Sequence, residues 1–203
     1  MYWPAALVLL LGLAAAVPTT PAPAPEKVKV HSIALLGSGC PKGTADVTVD
    51  ATGTLFEATF SKYIVETGKH TSASDWRKNC KLTINMEFDE GFQFSILETS
   101  MKGFAEIPKK AKGHCDNTFS FTGQKDAVRF GIDLKGHYSG DFDLYSDPAI
   151  IAWSPCGGST AILNLNTQCN LNPTHLPALI AVDSVSGKLT VKFAVQWKYC
   201  GKK

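Results

Sequence analysis

Between Lys188 and Tyr199 every second residue is apolar. Leu189, Val191, Phe193, Val195, Trp197 and Tyr199 alternate with Thr190, Lys192, Ala194, Gln196 and Lys198. Successive side chains of a strand leave opposite faces, so this run has one apolar and one mostly polar face only as β-structure; a helix would scatter the six apolar groups. The same period recurs over Cys80–Phe88, with Leu82, Ile84, Met86 and Phe88 on one face, and over Ala127–Lys135, with Val128, Phe130, Ile132 and Leu134. Asp89-Glu90-Gly91 reads as a hairpin turn into Phe92–Ile96. Further strands are expected at 28–35, 46–50, 54–65, 117–122, 141–145, 149–153 and 160–166, punctuated by Gly, Asn, Asp, Ser and Pro. Gly68–Lys78 is a long polar loop. His175–Val182 has room for a helical turn or two, and Pro173 and Pro177 break anything longer. The pattern predicts an all-β fold, an antiparallel β-sandwich of jelly-roll-like character.

The first sixteen residues behave differently. An apolar run from Ala5 to Leu13 is followed by Ala14-Ala15-Ala16, small residues at the positions a signal peptidase reads. The run is short for a membrane span, which needs about 20 residues. Residues 1–16 are therefore expected to be a secretory signal peptide, 17–27 a proline-rich disordered lead-in, and 28–203 one β-sandwich domain. No transmembrane segment is expected in the mature form, which should be secreted, extracellular or associated with a cell wall.

Export puts the six cysteines in an oxidising compartment, where an even count reads as a disulfide framework. No Cys-x2-Cys spacing suggests a metal. Cys156 and Cys169 flank one expected strand, Cys40 and Cys80 each adjoin a strand in the N-terminal half, and Cys115 and Cys200 remain. The expected bridges are Cys156–Cys169, Cys40–Cys80 and Cys115–Cys200.

Net charge is +2 with the signs interspersed. No basic stripe forms, so nucleic acid is not an expected partner. Gly157-Gly158-Ser159 lacks the Gly-x-Ser-x-Gly pattern of a nucleophile elbow. The five histidines fall in separate segments without metal-ligand spacing. More informative is Asp141-Phe142-Asp143-Leu144-Tyr145. On a strand, Asp141, Asp143 and Tyr145 share a face, about 7 Å apart in sequence pairs. Two carboxylates and an aromatic in line can contact sugar hydroxyls or a calcium ion, and paired acids also serve glycoside hydrolysis. Trp76, in the polar loop, is a further candidate for stacking on a sugar. Trp197 alternates inward and belongs to the core.

Several blocks carry a family resemblance: Gly37-Ser38-Gly39-Cys40-Pro41-Lys42-Gly43-Thr44, Arg77-Lys78-Asn79-Cys80-Lys81-Leu82, Gly91-Phe92-Gln93-Phe94, Tyr138-Ser139-Gly140-Asp141-Phe142 and Trp153-Ser154-Pro155-Cys156-Gly157. In this order, over roughly Ile33 to Cys200, the chain resembles a family of small secreted proteins frequent in filamentous fungi and catalogued as a domain of unknown function. The resemblance implies secretion, cystines and a predominantly β fold. It supplies no catalytic residues.

The sequence therefore leads to a monomeric, disulfide-stapled binding module for extracellular glycan or cell wall rather than an enzyme. Asp141, Asp143, Tyr145 and Trp76 are its candidate contacts. No cofactor is expected beyond calcium at Asp141 and Asp143. Two alternatives are a secreted polysaccharide-acting hydrolase or lyase, marked by a groove with converging acids, and an effector-like protein that binds a host protein, marked by a contiguous apolar patch.

Overall fold

A computed structural model describes residues 24–147, 151–156 and 158–201. The expected signal peptide, most of the proline-rich lead-in and residues 149–150 lie outside the described residues. Twelve strands follow one another: β1 (Val28–Leu36), β2 (Ala45–Val49), β3 (Leu55–Phe60), β4 (Val65–Thr67), β5 (Arg77–Phe88), β6 (Phe92–Ile107), β7 (Lys112–Phe121), β8 (Ala127–Lys135), β9 (Tyr138–Ser146), β10 (Thr160–Asn172), β11 (Ala178–Ala181) and β12 (Leu189–Tyr199). No helix occurs among the described residues. The stretch 175–182, which had room for a helical turn, instead contains β11, and residues 151–153 form no strand.

Two antiparallel sheets pack face to face. One has the order β1-β5-β10-β7-β8. The other has seven strands, β2-β3-β12-β6-β11-β4, with β9 on the remaining edge of β6. The alternation read from the sequence decides which residues meet between them. Leu82, Ile84, Met86 and Phe88 of β5 are buried, as are Leu189, Val191, Phe193, Val195 and Trp197 of β12. An aromatic cluster bridges the layers. Phe94 lies 5.0 Å from both Phe121 and Trp197 and 5.7 Å from Phe88, centroid to centroid. Edge-on and tilted contacts of this kind add to the burial energy.

The turn at Asp89-Glu90-Gly91 is not a hairpin. β5 belongs to the five-stranded sheet and β6 to the other, so the turn carries the chain across the sandwich. Phe88 and Phe94, on either side of the turn, pack against each other across the layers with ring centroids 5.7 Å apart.

Three bridges form: Cys40–Cys80, Cys115–Cys169 and Cys156–Cys200. The last two correct the expected Cys156–Cys169 and Cys115–Cys200. The reason is strand length. β10 runs unbroken from Thr160 to Asn172, and at about 3.3 Å per residue its start and Cys169 are some 30 Å apart, far beyond bridging distance. Cys169 instead faces Cys115 directly across the β10–β7 ladder. Cys156 reaches the end of β12, where it ties down the segment 151–156.

The Gly-Ser-Gly-Cys-Pro block serves this framework. A Cβ on Gly37 would stand 2.1 Å from the Asn79 carbonyl oxygen, and one on Gly39 would stand 2.3 Å from the Tyr63 ring. Only glycine allows the loop to approach closely enough for Cys40 to reach Cys80. Tyr63 is itself fully buried. Its hydroxyl accepts from the Cys169 N–H at 3.1 Å and donates to the Lys78 carbonyl at 2.8 Å. Burial pushes this phenol well above its ordinary pKa.

Candidate functional site

The outer face of the seven-stranded sheet carries most of the residues the sequence singled out. Its register aligns Thr59, Thr190, Lys102 and Asp143 in one row across β3, β12, β6 and β9. Glu57, Lys192, Ser100 and Tyr145 form the next. β11 and β12 lie end to end along one edge of β6, and between them residues 182–188 leave the sheet. This excursion walls a cavity of about 230 Å³ lined by Glu57, Ser100, Lys102, Asp143, Tyr145, Asp183, Ser186, Thr190 and Lys192.

Hydrogen bonds hold the excursion in shape. Its base closes through the Asp183 N–H to the Lys188 carbonyl and the Gly187 N–H to the Asp183 carbonyl, at 3.0 and 3.1 Å. The Asp183 carboxylate, only 1% exposed, accepts from the Val185 and Ser186 N–H groups at 2.9 and 2.6 Å and from the Ser186 hydroxyl. The bonds from Ser186, helped by Val185 and the positive field of Lys102, hold this carboxyl below its ordinary pKa. Asp141 fastens the tip: its carboxylate accepts from the Ser184 N–H at 2.9 Å and the Ser184 hydroxyl at 2.6 Å.

The candidates therefore divide. Asp143 and Tyr145 line the cavity together, Tyr145 with 68% of its surface exposed. Asp141 shares their strand face but is turned to the excursion, where it positions a wall. Trp76 does not line the cavity; its indole N–H donates to the Thr71 hydroxyl at 2.9 Å within its own loop. Asp183, Lys102 and Lys192 are site residues that sequence reasoning missed. They come from three separate elements, and only the ladder brings them together. The period-two pattern did mark Lys192 as outward.

Among the cavity's carboxylates, Glu57 pairs with Lys192 at 3.3 Å and Asp183 is spent on its own loop. Asp143 has no hydrogen bond or ion pair among the described residues. No group of three or more His, Cys, Asp or Glu side chains among the described residues converges where a metal could sit.

A second polar cluster occupies the outer face of the other sheet. His114 Nδ1 lies 2.7 Å from Asp133 and its Nε2 3.0 Å from Asp116, whose carboxylate is also 3.7 Å from Arg129. The Asp133 hydrogen bond leads, against partial burial, and Asp116 adds to it, so the imidazole pKa is raised above 6.5. With both ring nitrogens facing carboxylates, the protonated form of this histidine is favoured.

A family model described as a domain of unknown function, DUF4360, matches residues 26–200. This chain belongs to the DUF4360 family. A relative from Arthroderma benhamiae, named an uncharacterized secreted protein, is 31% identical over 183 residues, covering 88% of this chain and 74% of the relative. Two solved carbohydrate-binding modules resemble the DUF4360 sandwich in outline. TmCBM61, in complex with β-1,4-galactotriose, matches at 8% identity and a TM-score of 0.28, covering 83% of this chain and 89% of that one. The family 11 module of Clostridium thermocellum, in complex with a β-1,3-1,4-mixed-linked tetrasaccharide, matches at 8% identity and a TM-score of 0.23, covering 87% and 98%.

Proposed function

We propose that this chain is a secreted, non-catalytic binding module that acts as a monomer outside the cell or at its wall and takes an extracellular glycan in the cavity of the seven-stranded sheet. One observation carries the reading: Tyr145 stands exposed at the lip of a cavity whose floor offers Asp143, Lys102 and Ser100 in adjacent register positions. A sugar ring presents an apolar face and a rim of hydroxyls. An exposed aromatic takes the first, and a mixed set of donors and acceptors takes the second. Secretion is supported by the leader-like residues 1–16 and by the relative named as secreted.

Two-carboxylate glycoside chemistry needs a second acid opposite Asp143. Glu57 and Asp183 are both engaged, which favours binding over hydrolysis. The polar lining favours a glycan over a host protein. Calcium at Asp143 would add a cation between protein and sugar hydroxyls, with Asp141 left to hold the wall.

The test is a glycan array with purified mature protein, run with calcium and with chelator. Wild type is expected to retain at least one glycan, and Tyr145→Ala and Asp143→Asn are each expected to lose about 5-fold or more in affinity. Retention of every bound glycan by both variants would refute the cavity as the site. A chelator-sensitive signal that vanishes in Asp143→Asn would establish the calcium contact.

A further inference from the structure

The outer faces of the two sheets differ in chemistry. Around the cavity the outward positions are charged on every strand. On β10, the central strand of the five-stranded sheet, none of the outward positions from Thr160 to Asn172 carries a charge. The last five are all amides: Asn164, Asn166, Gln168, Asn170 and Asn172. The flanking strands add Asn79 and Thr83 on β5 and Thr118 and Ser120 on β7, interspersed with charged residues.

Strand formation does not account for such a row. Asparagine is depleted in strands, where β-branched and aromatic residues fit the pleat better. The inward positions of the same strand obey that rule, with Leu163, Leu165, Thr167 and Leu171 buried. The departure is confined to one face of one strand. A sequence that breaks a local rule on one face only marks a functional surface.

Three of the five amides are also held in place. Asn164 Oδ1 accepts from the Thr83 hydroxyl at 3.1 Å, and its Nδ2 donates to the Thr122 hydroxyl at 3.0 Å. Asn166 Oδ1 accepts from Asn79 Nδ2 at 3.5 Å, and Gln168 Oε1 accepts from the Arg77 guanidinium. Each amide can make four hydrogen bonds, so these lateral bonds fix the amide planes and leave donors and acceptors directed at solvent. Fixing them beforehand lowers the entropy cost of binding.

We infer that this amide row is a second binding surface, whose ligand is an uncharged polysaccharide chain laid along the sheet. The hydrogen-bonding chemistry of the amides selects the ligand. The row itself is uncharged and offers donors and acceptors about 7 Å apart along β10 and about 4.8 Å apart between strands, neutral groups of the kind that match sugar hydroxyls. The flanking strands set charges of both signs beside it: Arg77 pairs with Asn170 and donates to Gln168, Lys81 pairs with Asn166, and on β7 Lys112, His114 and Asp116 pair with Asn172, Asn170 and Gln168. A protein partner would need apolar anchors, and Ile162 is the single exposed large apolar residue that β10 offers. The surface rests on the reading of the chain as a glycan binder, but not on the cavity.

The experiment measures retention of the full mature chain on insoluble cellulose, chitin and β-1,3-glucan, with polygalacturonate as the acidic control. Wild type is expected to be retained by at least one neutral polymer. The variant Asn166→Asp, Gln168→Glu, Asn170→Asp is expected to lose at least about 10-fold in that retention. Should repulsion unfold the charged variant, Asn166→Thr with Asn170→Thr keeps the face neutral and favours the strand; its retention is expected to fall at least about 3-fold with no loss of melting temperature. Full retention of either folded variant overturns the inference, as does a wild type held by no neutral polymer. Binding that is lost in Tyr145→Ala and kept in the amide variants sinks this surface and leaves the cavity standing. The reverse result sinks the cavity and leaves this surface.

Discussion

Asp141 and Asp143 sit two residues apart on one strand face and have different tasks. Asp141 takes two hydrogen bonds from Ser184 and holds the wall of the cavity; Asp143 faces into it. Their shared face is a property of the strand, and their division of labour comes from an excursion about forty residues downstream. His114 shows the same dependence on distant partners. Its raised pKa comes from Asp133 and Asp116 in the fold. A folded-state pKa above the unfolded value means the protonated cluster stabilises the native state at low pH. That contribution is complete below the ordinary value of 6.5 and is lost as pH rises through the folded value. The wild-type melting temperature is thus expected to fall relative to that of His114→Asn as pH rises above about 6.5. Parallel thermal melts across that range check it; identical pH dependence in the two proteins would remove the assignment.

At the scale of the strand, alternation converts directly into energetics. Phe193 is 1% exposed and lies in the core, whereas its neighbour Lys192 leaves the opposite face and pairs with Glu57. Phe193→Ala is expected to cost about 3–5 kcal/mol, the usual cost of removing a buried phenylalanine. Lys192→Ala should cost under about 1 kcal/mol, since an exposed ion pair contributes little. Denaturant midpoints of the two variants give the comparison, and equal shifts would contradict the assigned faces. Alternation also places Asn117 inward, against its polarity. Fully buried, it donates to the Thr99 hydroxyl of the opposite sheet at 3.2 Å and accepts from the Thr167 hydroxyl at 2.8 Å. Thr99 in turn donates to the Lys192 carbonyl at 2.9 Å. This polar chain crosses the core and fixes how the two layers register. Asn117→Leu strands the Thr167 hydroxyl without its acceptor and should cost about 1–3 kcal/mol. Adding Thr99→Val and Thr167→Val, which remove the stranded groups, should recover part of that loss. Urea titrations of the single and triple variants decide it, and a triple variant less stable than the sum of its parts would show the chain to be more than local.

For the whole molecule, the bridges connect elements that the chain order keeps apart. Cys156–Cys200 closes 44 residues and anchors the segment 151–156 to the end of β12. There the Ser154 N–H donates to the Phe94 carbonyl at 2.8 Å, and Lys198 lies over the Trp153 ring. By the loop-entropy estimate its loss should cost about 4 kcal/mol. Cys156→Ser with Cys200→Ser is therefore expected to unfold at clearly lower denaturant while keeping the other two bridges, which a non-reduced peptide map verifies. An unchanged midpoint would mean that the segment is held by its hydrogen bonds alone.

Most of the fold was legible because period-two patterning is a local property: each residue's face follows from its parity along the strand. The strands at 80–88, 127–135 and 188–199, the core placement of Trp197 and the all-β class all follow from it, as does the grouping of Asp143 with Tyr145. What parity does not carry is which strand lies beside which. The turn at 89–91, the course of 175–182, the pairing of four cysteines and the gathering of Lys102, Asp183 and Lys192 around Asp143 depend on partners tens of residues away. So do the neighbours of the β10 amides, because a row across strands exists only once the ladder has set its register. Burial assigns each side chain inward or outward one residue at a time, and hydrogen-bonded register between distant strands decides which outward residues become neighbours.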